Sequence, residues 1–290
     1  MRGRQRRRLS WVLALAGVAV GVLVWFGGQR FATAARERRE VLQAVAIGNA
    51  GDLWIGGSGG LVHLMAGGER ARVELADSVR GLLVDPGNPS QLYALGSKNH
   101  IWRTQDGGRT WAMVRGHGLP AADVRALAYD PSGPTRLVAL VQGQGYFQSD
   151  LAGEMWMQVG AEDIPDATAM VIHPLDARTV LVGTPAGLYR STNQGMRFDP
   201  VPVKNAWDLP GPVTALAVAG DRSVVVAATG RGLYRSADGG RVWFPMAESG
   251  LPDAVAVAVA PWRSHEVVVG SRTGALAMSR DGGKHWQRMK

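Results

Sequence analysis

The sequence predicts an all-β fold, a six-bladed β-propeller, preceded by one N-terminal transmembrane helix. Large aromatic residues recur at Trp111, Trp156, Phe198, Trp243 and Trp286, with gaps of 45, 42, 45 and 43 residues. Four-stranded propeller blades repeat at a similar period of about 40–50 residues. Short apolar segments separated by Gly- and Asp-rich turns fill each interval. The first 40 residues differ, because they contain one long apolar stretch.

That apolar stretch, Leu9 to Gly28, predicts a transmembrane signal anchor. It contains no charged residue, and about 20 helical residues span the roughly 30 Å of a hydrocarbon core. Trp11 and Trp25 lie near its two ends, where interfacial aromatic residues are expected. A cleaved signal peptide is the alternative, with Ala32 to Ala34 as its cleavage site, although its apolar stretch is usually only about 7–15 residues long. The sequence favours an uncleaved anchor and leaves cleavage after Ala34 open.

Arginine placement predicts the orientation of this anchor. The basic tail, residues 1–8, contains five arginines and no acidic residue, so it is expected to stay in the cytoplasm. A juxtamembrane linker, residues 29–40, then leads to the propeller, residues 41–290. With 28 arginines and 4 lysines, the composition suggests a bacterium with a GC-rich genome. The predicted location is therefore the bacterial cytoplasmic (inner) membrane, with the propeller on its periplasmic, extracytoplasmic side.

Charge and cysteine content exclude several function classes. The net charge is +8, and the first 40 residues supply 9 − 2 = +7 of it, while the remaining residues supply 23 − 22 = +1. A nearly neutral propeller lacks the excess of cations that binds nucleic acid, so no nucleic-acid partner is predicted. The chain has no cysteine, which excludes disulfides and thiolate metal sites. Its histidines are scattered and it has no nucleotide-binding loop, so neither a cofactor nor a metal is predicted.

Six blades are predicted from the repeated order of apolar strand, turn and strand. In the clearest blade, Val213 to Val218 and Ser223 to Thr229 are almost continuously apolar, as expected for strands that are covered on both faces. The first blade is degenerate, because Ala71 takes the place of the repeated aromatic residue. Closure of the ring is expected to depend on packing between the first and last blades. The predicted blades are residues 41–75, 79–114, 123–160, 167–203, 212–247 and 254–290.

An eight-residue motif, Ser/Thr-x-Asp-x-Gly-x-x-Trp/Phe, ends at the repeated aromatic residue. Its Asp can accept amide protons from its own turn, its Gly allows a positive φ, and its aromatic ring buries a large apolar surface. These roles predict structural residues, not catalytic ones. The motif resembles the Asp-box, or BNR repeat, in which the boxes are regarded as structural. The box residues are Thr104, Asp106, Gly108 and Trp111; Ser191, Asn193, Gly195 and Phe198; Ser236, Asp238, Gly240 and Trp243; and Ser279, Asp281, Gly283 and Trp286.

Charged residues near the start of four of the six inner strands form a candidate partner-binding rim. The links between blades lie together on one face of a propeller, so the residues at these positions are expected to surround one end of the central channel. One interpretation treats them as solvated loop charges, and the other as a mixed-charge surface that binds a protein or a peptide. The rim residues are Arg80, Asp123, Arg125, Asp166 and Asp253.

The repeats Gly-Leu-Tyr-Arg-Ser and Asp-Gly-Gly-x-x-Trp also resemble those of the photosystem II stability/assembly-factor propellers, within the sialidase-like superfamily. That resemblance implies a non-enzymatic helper that binds membrane-protein partners, with a basic patch involved. We therefore expect a membrane-anchored scaffold, assembly factor or accessory subunit, whose partner is a membrane-protein complex or an extracytoplasmic protein. A sialidase-like glycoside hydrolase or a carbohydrate-binding propeller is the alternative. The Phe/Tyr-Arg-Ile/Leu-Pro motif of sialidases is absent from the sequence, and the acids Glu162, Asp163 and Asp166 have no evident catalytic pairing.

Overall fold

A computed structural model describes residues 41–289 except 49–50, 115, 134, 161–163, 165, 207 and 220–223. In these residues 24 strands form six four-stranded sheets. Each sheet takes its strands from one continuous segment, and neighbouring strands in the sheet are neighbours in the chain. The fold is therefore the six-bladed propeller that the repeat period predicts. Within the described part of the chain, no helix is long and apolar enough to cross a bilayer, and the predicted anchor, Leu9 to Gly28, lies outside it.

The strands follow one another in chain order, four to a blade. Blades 1 and 2 contain β1 (Leu42–Ile47), β2 (Leu53–Gly57), β3 (Gly60–Leu64), β4 (Arg70–Val73), β5 (Val79–Val84), β6 (Leu92–Gly96), β7 (Ile101–Thr104) and β8 (Ala112–Val114). Blades 3 and 4 contain β9 (Val124–Tyr129), β10 (Leu137–Val141), β11 (Gly145–Ser149), β12 (Met157–Gly160), β13 (Ala169–Ile172), β14 (Val180–Thr184), β15 (Gly187–Ser191) and β16 (Asp199–Pro200). Blades 5 and 6 contain β17 (Val213–Val218), β18 (Val225–Thr229), β19 (Gly232–Ser236), β20 (Phe244–Pro245), β21 (Ala254–Ala260), β22 (Arg263–Ser271), β23 (Leu276–Ser279) and β24 (Gln287–Arg288).

Burial falls from the second strand of a blade to its outer strand. The second strands β6, β10, β14 and β18 are buried at every residue, whereas the outer strands β16, β20 and β24 are exposed. Continuously apolar, β-branched segments form the second strands because both of their faces pack against neighbouring blades. The apolar clusters accordingly join successive blades, and each box aromatic residue lies in the cluster that its blade shares with the preceding one.

The outer strands are shorter than the apolar segments of the sequence indicate. Val242 to Met246 reads as a strand, but β20 contains only Phe244 and Pro245. The Val242 amide donates a hydrogen bond of 3.0 Å to the Asp238 carboxylate, so it belongs to the box turn. Blades 2 and 6 show the same arrangement. The outer strand therefore begins later in the sequence, because the box turn uses backbone donors that would otherwise pair with the neighbouring strand.

Blade 1 has four strands, even though it lacks the box and its aromatic residue. Among the described residues, blades 1 and 6 each take their strands from their own segment, and the ring closes by packing between them. The Leu42 amide donates to the Arg272 carbonyl at 3.3 Å across this seam. A Cβ atom at Gly270 would lie 2.7 Å from Leu42 Cδ2, so the two blades approach closely there.

Candidate partner-binding rim

The six inner strands surround a central channel with a mainly apolar wall. The channel has a cavity volume of about 290 Å³. One equivalent position of the wall, contributed by each of the six inner strands, is always alanine or glycine. Small residues there keep the channel open, because larger side chains would fill it. The residues at this position are Ala44, Gly81, Ala126, Ala169, Ala215 and Ala256.

One end of the channel carries a ring of side chains from the residue that precedes each of these alanine or glycine positions. We call this end the rim end. Four members of the ring are neutral, and the two charged ones, Arg80 and Arg125, come from the adjacent blades 2 and 3. The positive charge of the ring is therefore concentrated on one side of the channel. The ring consists of Gln43, Arg80, Arg125, Thr168, Thr214 and Val255.

Asp123 joins the two arginines into one cluster. Its Oδ1 lies 2.8 Å from Arg80 Nη2, and its Oδ2 lies 3.3 Å from Arg125 Nη1. Arg125 also donates from Nη2 to Gln142 Oε1 at 2.6 Å. All three ionic side chains are partly exposed, so their mutual attraction is screened by water. The cluster holds two guanidinium groups in fixed positions at the channel mouth and has a net charge of +1.

Asn99 organises this cluster, and the sequence reasoning did not identify it. Its Oδ1 accepts a hydrogen bond from Arg80 Nη2 at 2.7 Å and another from the Val124 amide at 3.0 Å. Its Nδ2 donates to the Ala122 carbonyl at 2.8 Å. Asn99 has a φ of 63°, a conformation in which asparagine is enriched among non-glycine residues. An asparagine in the turn between the second and third strands was the signal available in the sequence.

The ring position also ties each blade to the next one. Thr168 Oγ1 lies 3.0 Å from the Gly183 carbonyl of its own blade and 2.6 Å from the Val213 carbonyl of blade 5. Thr214 makes the corresponding contacts with blades 5 and 6. Arg80 follows the same pattern, since its Nε donates to the Gly96 carbonyl at 3.1 Å while its Nη2 reaches Asp123. Arg80 is therefore both a tie between blades and a charge at the channel mouth.

The two other predicted rim acids lie apart from the arginine cluster. Asp166 and Asp253 precede the inner strands of blades 4 and 6, and both are exposed. Among the ion pairs between described residues, neither carboxylate contacts an arginine. Asp166 has a φ of 58°. The structure thus brings together Arg80, Asp123 and Arg125 and leaves Asp166 and Asp253 as separate charges, so the rim has a positive side and acidic positions elsewhere.

The Asp-boxes lie at the opposite end of the strands from the rim. In blade 2, Thr104 pairs with Leu92, which pairs with Val84, at the far end of β5 from Arg80. The box is closed by local hydrogen bonds. Thr104 Oγ1 donates to Asp106 Oδ1 at 2.8 Å and accepts from the Gly108 amide at 2.9 Å. The hydrogen bonds from Thr110 hold the pKa of Asp106 well below its usual value. These contacts use the Asp as a turn acceptor.

The degenerate boxes retain this geometry without the charge. Asn193 Oδ1 accepts from Ser191 Oγ at 2.8 Å and from the Arg197 amide at 3.0 Å. Two consecutive residues of the turn have a positive φ in every box. In the regular boxes both are glycine, but here Gln194 has a φ of 62°, and in blade 3 Ala152 has a φ of 54°. All five turns therefore share the left-handed backbone, whereas the acceptor varies, since an amide oxygen replaces the carboxylate in blade 4 and Leu151 offers no side-chain acceptor in blade 3.

At the other end of the channel, Tyr129 donates a hydrogen bond from its hydroxyl to Asp85 Oδ2 at 2.8 Å. Burial is the main cause that raises the pKa of Tyr129, and burial likewise raises the pKa of Tyr93 to about 12. A tyrosine nucleophile needs the opposite shift or an adjacent base that is free to accept its proton. In the described residues, no three His, Asp or Glu side chains form a group that could hold a metal ion.

Comparisons with known proteins agree on the fold. No protein-family model and no curated protein matches the chain. Among solved structures, a GH74 enzyme from Niastella koreensis matches 86% of this chain at 18% identity, with a TM-score of 0.60. The chain spans 45% of that enzyme's length. A YCF48 protein bound to a D1 peptide matches at 16% identity with a TM-score of 0.55, covering 86% of this chain and 82% of the other. YCF48 from Cyanidioschyzon merolae matches at 14% identity with a TM-score of 0.53, covering 87% of this chain and 85% of the other.

Proposed function

We propose that this protein is a non-enzymatic, membrane-anchored propeller that binds another protein at the rim. It acts outside the cytoplasm as a scaffold, an assembly factor or an accessory subunit of a membrane complex. The observation that carries this proposal is the cluster of Arg80, Asp123 and Arg125 at the mouth of the channel. Two guanidinium groups held by a rigid set of hydrogen bonds can pair with carboxylates of a partner at little entropic cost.

The neighbouring channel supports a protein or peptide ligand. Its apolar wall can accept a hydrophobic side chain of a segment whose acidic group contacts the arginines. The acidic positions Asp166 and Asp253 would favour basic groups elsewhere on the same partner, which makes the surface selective for one orientation. The resemblance to the photosystem II stability/assembly-factor propellers supports this role, as does the fold shared with YCF48, one structure of which holds a D1 peptide. A membrane anchor would raise the local concentration of the propeller near a membrane-bound partner.

Affinity purification of the full chain from detergent-extracted membranes tests the proposal. The rim variant is Arg80→Thr with Arg125→Thr, because Thr168 and Thr214 show that threonine at this position preserves the tie between blades. The control variant is Arg178→Thr with Arg197→Thr, which removes two exposed arginines that are also paired with acids. We expect a stoichiometric membrane-protein partner with the wild type and the control, and at least about a tenfold loss with the rim variant.

Two results would contradict the proposal. Equal recovery of the partner by the rim variant would exclude the rim as the binding surface. A wild-type protein that purifies alone and cleaves a sialoside would favour the glycosidase alternative. The predicted orientation has a separate test, since a reporter enzyme that is active only outside the cytoplasm should be active when fused after Lys290.

A further inference from the structure

A second concavity opens between blades 1 and 2, at the end of the strands where the boxes lie. Its volume is about 720 Å³, within the range of roughly 300–1,000 Å³ for ligand sites. We call it the seam cleft. Its wall combines the first residues of blade 1's second strand, the third and fourth strands of blade 1, and the box of blade 2. Its lining includes Asp52, Trp54, His63, Glu74, Arg109 and Trp111.

The seam cleft exists because blade 1 departs from the repeat. Third-strand residues equivalent to His63 are Arg103, Arg190 and Arg235 in three other blades, as the strand register shows. Arg190 reaches across its seam, where Nη2 lies 3.5 Å from the carbonyl of Gly239 in the next box. A long side chain thus covers the glycine turn of the next box in that seam. In blade 1 the shorter histidine leaves this space open.

His63 is held against its own blade instead of reaching across the seam. Its ring stacks on Trp54 with a centroid distance of 4.0 Å and an interplanar angle of 2°. Its Nε2 lies 3.1 Å from Asp52 Oδ2, and Asp52 Oδ1 accepts the Ala66 amide at 3.0 Å. Trp54 replaces the aliphatic or tyrosine residue that the other blades have at this second-strand position. The stacked rings and the carboxylate form a rigid floor.

The wall contributed by blade 2 contains an unsatisfied donor. The indole N–H groups of Trp156 and Trp243 donate to carbonyls of their own boxes, at 2.8 and 3.2 Å. Trp111 packs edge-on against Trp54 at 5.8 Å, and its buried Nε1 has no hydrogen-bond partner. Buried donors are almost always paired, so this one marks a place where the bonding is incomplete. The box aromatic residue of blade 2 has thus given up its usual hydrogen bond at the same seam where His63 replaces arginine.

The chemistry of the wall selects a class of ligand. The wall contains the acidic residues Asp52, Glu74 and Asp106 and the basic residues Arg72 and Arg109, so a strongly charged ligand of either sign would meet a like charge. A purely apolar ligand would leave the polar groups of the wall unpaired, which is costly. A neutral molecule with many hydroxyl groups can donate to the carboxylates, accept from the arginine and histidine, and place its C–H surface on the partly exposed ring of Trp111. We propose that the seam cleft binds a neutral oligosaccharide, independently of the rim.

Binding of short oligosaccharides to the full chain tests this inference. The probes are cellotetraose, maltotetraose and chitotetraose, with the anionic sialyllactose for comparison, in a detergent that has no sugar headgroup. We expect at least one neutral probe to bind with a Kd near or below about 1 mM by calorimetry, and sialyllactose to bind more than about tenfold more weakly. Saturation-transfer NMR would identify the sugar protons that contact aromatic rings.

His63→Arg is the decisive variant, because it installs the residue that three other blades carry and an arginine there can still pair with Asp52. It should fold normally and bind the neutral probe at least about tenfold more weakly, while it still captures the protein partner. The rim variant, Arg80→Thr with Arg125→Thr, should keep the oligosaccharide affinity of the wild type. Failure of all three neutral probes at about 10 mM, unchanged affinity in a folded His63→Arg variant, or equal binding of sialyllactose would each overturn the inference.

Discussion

Replacing Asp238 in the best-formed Asp-box separates its role as an acceptor from its charge. Asp238 Oδ1 accepts hydrogen bonds from Ser236 Oγ at 2.8 Å and from the Arg241 and Val242 amides, both at 3.0 Å. Asp238→Ala removes all three acceptor contacts, whereas Asp238→Asn keeps an oxygen in the same place. Asn193 already makes two of these contacts in blade 4. We therefore expect the alanine variant to be clearly less stable than the asparagine variant.

The magnitude follows from what each donor meets after the change. The Arg241 and Val242 amides lie at an exposed turn, so water replaces most of the lost bonding. Ser236 is fully buried, and its hydroxyl proton would lose its acceptor, which costs about 1–3 kcal/mol. We expect Asp238→Ala to lower the free energy of unfolding by about 2 kcal/mol, which corresponds to a fall in Tm of about 4–8 °C for a domain of this size. Asp238→Asn should cost less than about 1 kcal/mol.

Urea unfolding at neutral pH, followed by far-UV circular dichroism and tryptophan fluorescence, measures both values. Asn193→Ala is a control in another blade and should resemble Asp238→Ala, because Ser191 is buried in the same way. The reasoning would be refuted if Asp238→Asn were as destabilising as Asp238→Ala, since the charge would then matter more than the acceptor. An alanine variant as stable as the wild type would also contradict it. Partner capture and oligosaccharide binding should survive in every folded variant.

Two further predictions concern the same turns. Gln194→Gly should raise the free energy of unfolding by about 1 kcal/mol, because it removes left-handed strain at Gln194. Gly107→Ala should lower the free energy of unfolding by a similar amount, because Gly107 has a φ of 70° and only the backbone conformation, not the surrounding space, opposes a side chain there. Urea titrations that gave the opposite signs would contradict this prediction. Hydrogen bonds, chiefly from Thr110 and His285, hold the pKa values of Asp106 and Asp281 below the usual value. The two carboxylates therefore stabilise the folded state above the unfolded pKa of about 3.9, and this stabilisation is lost as the pH falls below it. The wild type should therefore lose stability more steeply below about pH 4 than Asp106→Asn with Asp281→Asn, and parallel pH profiles of Tm would disprove this origin of the acid sensitivity.

The number of blades could be read from the sequence because the repeat is a local property. The same residues return at nearly equal spacing, and each strand-and-turn unit is specified by residues within about ten positions of one another. Alignment of the repeats also places Arg80 and Arg125 at equivalent positions of neighbouring blades, which is why both appear in the predicted rim. The outer strands were read too long, because the sequence pattern does not show that the amide just before the box aromatic residue donates to the box Asp.

The contacts between blades required the tertiary structure. Asp123 lies between two arginines while Asp166 and Asp253 do not, although all three acids precede an inner strand. Asn99 fixes Arg80 from another turn of the same blade, and His63 turns back onto Trp54 instead of crossing the seam. Such differences depend on side-chain direction, and Arg80 meets Asp123 only because blades 2 and 3 pack against each other.

The sequence by itself determined the architecture, the boxes and the ring position of the two arginines, because period and turn chemistry act over short distances along the chain. Only the tertiary structure decided which charges meet at the channel mouth and where a seam stays open. Both depend on how blades approach one another around the axis, and a repeating pattern describes what the blades share instead of what distinguishes them. At the rim two adjacent blades carry arginines where the other four carry neutral residues, and at the seam cleft beside Trp54 blade 1 differs from the rest.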